Sequence, residues 1–265
     1  MLRSLNDLEH YTVHASDGDV GQVANFLMDD DRWVIRYLVV ATGGFFSERK
    51  LLISPVAFGQ AEWASQRFQV NLTRDKILHA PDVDTEQPVS RQHERDQFHY
   101  YGYPDYWGSS GIWGMGGAPG PLAAAGLAEK PPAPRPGAPD DLHLRSAREV
   151  CGYHIEGSDE GIGHVQDFIV DDETWEVRYL VIDTSNLWFG RKVLVSPWWA
   201  SSVSWEHRKV YLDLSREEIR DSPEWNPDAG VNREYETCLY DYYGRPAYWA
   251  TDPHPQTGVP RPPLL

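Results

Sequence analysis

One plan is written twice in this chain, and that repetition limits its fold more than any compositional figure does. Trp33 to Pro55 reads WVIRYLVVATGGFFSERKLLISP, and Trp175 to Pro197, 142 positions on, reads WEVRYLVIDTSNLWFGRKVLVSP. The alignment runs without a gap from Ser4–Trp107 onto Ser146–Trp249, with 34 of its 104 pairs identical. About six would match by chance from average residue usage. From Trp33 onward the side chains alternate, with Trp33, Ile35, Tyr37 and Val39 on one face and Val34, Arg36, Leu38 and Val40 on the other. Period two marks a strand. Leu51–Ile53 and Val193–Val195 are the return strands, ended by Pro55 and Pro197, which have no amide to donate. Each copy is a β-hairpin.

The rest of each copy extends this pattern. Strands are predicted around Tyr11–His14 and Val20–Met28, a further hairpin at Ala61–Trp63 and Phe68–Asn71, and a short helix at Thr73–Leu78 and at Leu214–Ile219. The later helix carries the box Ser215-x-x-Glu218, which satisfies free amides at a helix start, where the earlier one has Lys76. The expected fold class is all-β with one short helix per repeat: two tandem small antiparallel β-barrels, with packing as an intramolecular pseudo-dimer an open option. A unit of about 80 residues buries only some 60–65% of its unfolded surface, so mutual packing would help both.

The expected boundaries are 1–81 and 146–223 for the barrels and 82–107 and 224–249 for polar extensions that close on Tyr100–Trp107 and Tyr242–Trp249. Residues 250–265 form a Pro-rich tail, expected to be disordered. Between the repeats, 108–145 holds 15 Gly or Pro in 38 positions, a composition that builds no core and predicts a flexible tether.

The net charge of −16 resides in the repeats, −7 in Ser4–Trp107 and −10 in Ser146–Trp249. Such a field repels phosphate backbones and anionic lipid, which disfavours nucleic-acid and membrane-surface partners. Cys151 and Cys238 stand far apart and in no Cys-x-x-Cys pattern, so neither a disulfide framework nor a thiolate metal site is implied. With no apolar signal core and no run of 18 apolar residues, the expectation is a soluble, cytoplasmic protein without membrane insertion.

Gly21-x-Val23, Asp29-Asp30, Trp33-x-Ile35-Arg36-Tyr37-Leu38-Val39-Val40, Arg49-Lys50-x-Leu52-Ile53-Ser54-Pro55 and Leu72-Thr73-Arg74-x-x-Ile77 together resemble the PRC-barrel family. The second repeat is the closer fit, through Gly161-Ile162-Gly163-x-Val165-x-Asp167, Val177–Thr184 and Gly190–Leu194. Both repeats thus resemble a family typified by the cytoplasmic part of the reaction-centre H subunit and the C-terminal domain of a ribosome-maturation factor. The resemblance implies a small, mostly antiparallel barrel used for assembly and protein contact, without general enzymatic activity.

The residues themselves offer no catalytic site, no cofactor site and no metal site. Asp29-Asp30 and Asp171-Asp172 sit where strands turn, a place that favours Asp for backbone bonding, and no further oxygen ligands follow at binding-loop spacing. Arg36 and Arg178, mid-strand among apolar neighbours, need carboxylate partners, and the adjoining Asp29 or Asp30 and Asp171 or Asp172 are the candidates. None of the ten histidines recurs at the equivalent position of the other repeat. Partner-contact candidates are the large apolar groups at the hairpin tips, Phe45, Phe46, Leu187, Trp188 and Phe189, with Trp198 and Trp199, which replace Val56 and Ala57. The functional expectation is a non-enzymatic interaction scaffold or assembly adaptor of unknown protein partner, with self-association open. The alternative is a small-ligand or metal-binding sensor using a cleft between the barrels.

Overall fold

The computed structural model describes residues 1–43, 49–81, 89–103, 106, 111–114, 116–119, 142–184 and 191–250. The first repeat runs β1 (Leu2–Ser4), α1 (Leu5–Leu8), β2 (Thr12–Ala15), β3 (Gly18–Asp29), β4 (Val34–Thr42), β5 (Arg49–Ile53), a 3₁₀ turn (Pro55–Ala57), β6 (Phe58–Glu62), β7 (Arg67–Val70), α2 (Arg74–Leu78), β8 (Val89–Ser90) and α3 (Arg91–Tyr101). The second runs β9 (Leu142–Ser146), α4 (Ala147–Val150), β10 (His154–Glu156), β11 (Gly161–Asp171), β12 (Val177–Asp183), β13 (Lys192–Val195), a 3₁₀ turn (Pro197–Trp199), β14 (Ala200–Ser204), β15 (Lys209–Leu212), α5 (Arg216–Arg220) and α6 (Arg233–Tyr243).

Two compact units divide the chain, and their borders cross the repeats. The first unit comprises Leu8–Arg148 with Glu173–Glu176; the second comprises Met1–Asp7, Glu149–Asp172 and everything from Val177. In the first unit the strand order is β5-β4-β3-β2-β7-β6, and β9 adds to the far end of β3 with Leu27 opposite Ser146, Met28 opposite Arg145 and Asp29 opposite Leu144. In the second the order is β13-β12-β11-β10-β15-β14, and β1 adds to β11 with Ser4 opposite Ile169, Arg3 opposite Val170 and Leu2 opposite Asp171. Leu2-Arg3-Ser4 and Leu144-Arg145-Ser146 are the same tripeptide in the same register. The leading strand of each repeat therefore completes the unit built by the other.

Three expectations need correction. First, the described strands do not close into barrels. Each sheet stays open between its end strands, because Pro55 and Pro197 start a 3₁₀ turn that carries the chain away from the ladder. The pairs β2–β7 and β10–β15 are parallel, within otherwise antiparallel sheets.

Second, each repeat has a further, longer helix where a polar extension was expected. Ser90 caps α3 by accepting from the His93 amide, and Gly102 (φ 76°) ends it; Asn232 and Gly244 (φ 60°) do the same for α6. The buried positions of α3, Glu94, Gln97, Phe98 and Tyr101, fall at i, i+3, i+4 and i+7, one helical face. Phe98 and Tyr106 pack with Leu27, Tyr37, Val39, Leu52, Val89 and Leu144 in one apolar cluster. That cluster covers the outer side of the sheet. Because both faces of β4 are thus enclosed, Val34 to Val40 is buried without a break, Arg36 included.

Third, the tether is structured at its edges. Residues 142–145 belong to β9, and Trp113 is buried in the first unit, donating its indole N–H to the Thr174 carbonyl at 2.7 Å.

Gly21 and Gly163 occupy the motif position where β3 meets β4 and β11 meets β12. A Cβ there would lie 2.1 Å from the carbonyl oxygen of Ala41 or Asp183, so only glycine fits. The exchange of leading strands makes a sharper prediction. Leu144 is fully buried among side chains of the first repeat, so Leu144→Ala should cost about 2–5 kcal/mol. Hydrogen exchange should locate that loss in β3, β4 and α3, with β11 and β12 unaffected. Loss of protection confined to the second repeat would contradict the assignment.

Candidate functional site

The most elaborate polar arrangement in each unit gathers around one buried glutamate on its long helix. Glu94 of α3 is completely buried and accepts the hydroxyl of Tyr106 at 2.6 Å, the hydroxyl of Tyr37 at 3.3 Å and Arg91 Nη1 at 2.9 Å, with His143 Nε2 at 3.0 Å. Glu236 of α6 repeats the motif with Tyr179 at 2.7 Å, Tyr248 at 2.9 Å and Arg233 at 3.0 Å. The aromatic ends of the repeats are thus clasps that fold back over their helices and seal a carboxylate. Burial first, then the glutamate charge for Tyr37 and Tyr106 and Tyr240 ahead of the glutamate for Tyr179, pushes these hydroxyls well above the usual phenol range, so they remain protonated donors.

The expected ion pairs lie beside these clasps. Arg36, fully buried, reaches Asp29 at 3.2 Å and donates to the Ile112 carbonyl at 2.7 Å. Its guanidinium lies 3.8 Å from the centroid of Tyr106 and 4.7 Å from that of Trp113. Burial opposes the Asp29 charge, yet Arg36, His143 and the amides of Asp31 and Arg32 hold its carboxyl below the ordinary value. In the second unit Arg178 stands 3.6 Å from Asp171 and 4.2 Å from the centroid of Tyr248. The remaining aspartates hold the exchanged strands: Asp30 bonds Arg145 of β9 at 2.9 Å, and Asp172 bonds Arg3 of β1 at 2.7 Å. Each of these groups is held by at least one other, although the buried Arg36 Nε has no hydrogen-bond partner of its own among the described residues. The chemistry they support is the fixing of charge and position.

The partner-contact candidates separate. Trp199 is buried, packed on Tyr240 at 5.2 Å and Tyr243 at 4.9 Å, because α6 covers it; it is not available for contact. Trp198 is 42% exposed. Phe45, Phe46, Leu187, Trp188 and Phe189 lie outside the described residues. Two concavities belong to the second unit. One, of about 350 Å³, is lined by Arg191, Arg216 and Arg220, whose side chains are engaged by Glu160, Glu217, Asp221 and main-chain carbonyls. The other is an open groove of about 700 Å³ along α6, lined by Pro223, Glu234, Thr237, Cys238, Asp241 and Tyr242. Among the described residues no three His, Cys, Asp or Glu side chains are grouped to hold a metal ion, and no helix is long and apolar enough to cross a membrane.

The glutamate clasp is absent from the sequence-based expectations. Its signal was present: Glu94, Phe98 and Tyr101 recur at helical spacing as Glu236, Tyr240 and Tyr243, between a capping Ser90 or Asn232 and a terminal Gly102 or Gly244.

One pair of residues at the strand seam allows a test. Asp167 accepts from the Ser4 hydroxyl and the Asn6 amide, while its counterpart Asn25 donates to the Ser146 hydroxyl at 2.8 Å. Burial pushes the Asp167 carboxyl up to about 6 from 3.8, against these hydrogen bonds. A raised folded-state value means the folded protein holds the proton more tightly. The associated stabilisation is complete below about pH 4 and is lost as the pH rises through about 6. Asp167→Asn should therefore raise stability at pH 7 by up to about 3 kcal/mol and change it little at pH 4, in urea titrations at both pH values. A gain of equal size at both would contradict this.

No curated protein matches the chain. Residues 144–219, from Leu144 in β9 to Ile219 in α5, match the model of the PRC-barrel domain. The second repeat thus carries a PRC-barrel domain, a generally non-catalytic module.

Proposed function

We propose that the chain is a non-enzymatic tandem PRC-barrel protein that serves in the cytoplasm as an interaction scaffold or assembly adaptor. The first repeat is taken as a second PRC-barrel because it has the same strand order, the same parallel pair and the same glutamate clasp as the matched repeat. Cys151 and Cys238 form no disulfide, in keeping with a reducing compartment. The two buried glutamates, Glu94 and Glu236, are each held by two tyrosines and an arginine, which favours a structural role over turnover.

One observation carries the contact reading: Trp198 presents its indole to solvent while its neighbour Trp199 is buried, at positions where the first repeat has Val56 and Ala57. A large aromatic group that serves no core is the type of residue that anchors a protein interface. Trp198→Ser should leave the melting temperature unchanged and weaken partner binding by roughly thirtyfold, as loss of an anchor of about 2 kcal/mol would. Affinity capture by the intact chain and by this variant, quantified for the same retained protein, makes the comparison. Equal capture would reject the reading.

A further inference from the structure

Helix α6 has two unlike faces. Glu236, Leu239 and Tyr240 point inward and are buried, as Glu94, Gln97 and Phe98 are in α3. The outward positions Glu234, Thr237, Cys238 and Asp241 are exposed and, with Tyr242 and Pro223, line the open groove of about 700 Å³. The walls of this groove are fixed. Tyr242, 42% exposed, donates its hydroxyl to the Glu218 carbonyl at 2.8 Å, and Tyr235 donates to the Pro223 carbonyl at 3.0 Å.

The duplicate supplies a comparison. In the first repeat the same outward positions read Gln92, Arg95, Asp96 and His99, beside Pro81 and Tyr100. Tyr100 is tied down like its counterpart, donating to the Lys76 carbonyl at 2.7 Å, and Gln92 is satisfied by Asp96 at 3.2 Å. The inward glutamate and the fixed tyrosine are common to both repeats, so they do not account for the change at the rim. In the second repeat that change places two carboxylates, Glu234 and Asp241, at the ends of an apolar floor. Neither forms an ion pair among the described residues. Burial, then Asp221 and Glu218, push the nearby Tyr242 hydroxyl up against the pull of Arg220, and Arg220 is itself held by Asp221 and Glu217. The surroundings of the groove are acidic too.

Seven helical residues separate Glu234 from Asp241, a rise of about 10.5 Å. On an extended polyproline II segment, three residues make one turn, so side chains three residues apart share a face and lie about 9 Å apart. From this match and the charge of the rim we infer that the groove of α6 docks an extended, cationic protein segment in which two Lys or Arg residues, three positions apart, bracket an apolar residue. The basic heads reach Glu234 and Asp241, and the apolar residue and the aliphatic stems lie over Tyr242 and Pro223. This inference rests on the proposed contact function and gives that function a partner chemistry.

The test is fluorescence anisotropy of the intact chain with a labelled peptide Gly-Arg-Leu-Pro-Arg-Gly. Saturable binding is expected, with at least roughly tenfold weakening in the double variant Glu234→Gln, Asp241→His, which restores the residues of the first repeat. A control that removes two exposed acids elsewhere, Glu206→Gln with Asp213→Asn, is expected to bind as the parent does, and all variants to melt with it. Equal weakening in the control would reduce the effect to the general acidic field and overturn the inference, as would no binding at all. Self-association of the intact chain that the groove variant abolishes would seat a second copy there and overturn it as well. Trp198→Ser reports on the broader contact reading independently, because Trp198 does not line this groove.

Discussion

A three-residue ladder decides how this chain is put together. Strands β3 and β11 run for 12 and 11 residues, past β2 and β10, which pair them only as far as Gln22 and His164, and so Leu27–Asp29 and Ile169–Asp171 have one edge that these neighbours leave open. Unpaired backbone groups at such an edge are costly when buried and adhesive when exposed. β9 fills the first edge and β1 the second, each brought by the other repeat. Side chains hold the joint in both cases: Arg145 on Asp30 and Ser146 on Asn25 in one, Arg3 on Asp172 and Ser4 on Asp167 in the other. Neither repeat, cut at the start of its own homology, would contain a complete sheet.

On that sheet the long helix of each repeat places a glutamate where no water can reach it. A buried carboxylate is tolerable only with several strong donors, and two tyrosines and an arginine provide them in both units. The donors come from the central strand, the helix and the aromatic end, so the network ties together elements far apart in sequence. The first unit adds His143 from β9. Structural demand of this kind explains why the buried glutamate and its tyrosine and arginine donors recur in both repeats while the outer positions of α3 and α6 differ.

Most of the sheet was legible from the chain alone, because period-two alternation, turn residues and strand-ending prolines are local signals. Tyr11–His14 and Val20–Met28 were placed within a few residues of β2 and β3, and the Ser215 capping box is present as read. The Arg36 and Asp29 side chains that the sequence juxtaposed do meet. What escaped was nonlocal or masked by polarity. Arg91–Tyr101 reads as a polar stretch because its buried face includes Glu94 and Gln97, whose burial depends on partners 12 to 57 residues away. The exchange of leading strands has no signature beyond the repeated Leu-Arg-Ser, which lies at the very edge of the duplication. Barrel closure came from the family resemblance, and the open sheets show that proline-initiated turns interrupt the ladder at the corner.

The account stands or falls on which sheet each leading strand belongs to. Native-state hydrogen exchange on the unmodified chain, resolved by residue through a denaturant series, addresses this directly. If β9 is a strand of the first unit, the amides of Leu144 to Ser146 open with the same free energy and denaturant dependence as those of β3 and β4. If they open instead with β11 and β12, the exchange does not occur and the two units must be drawn again.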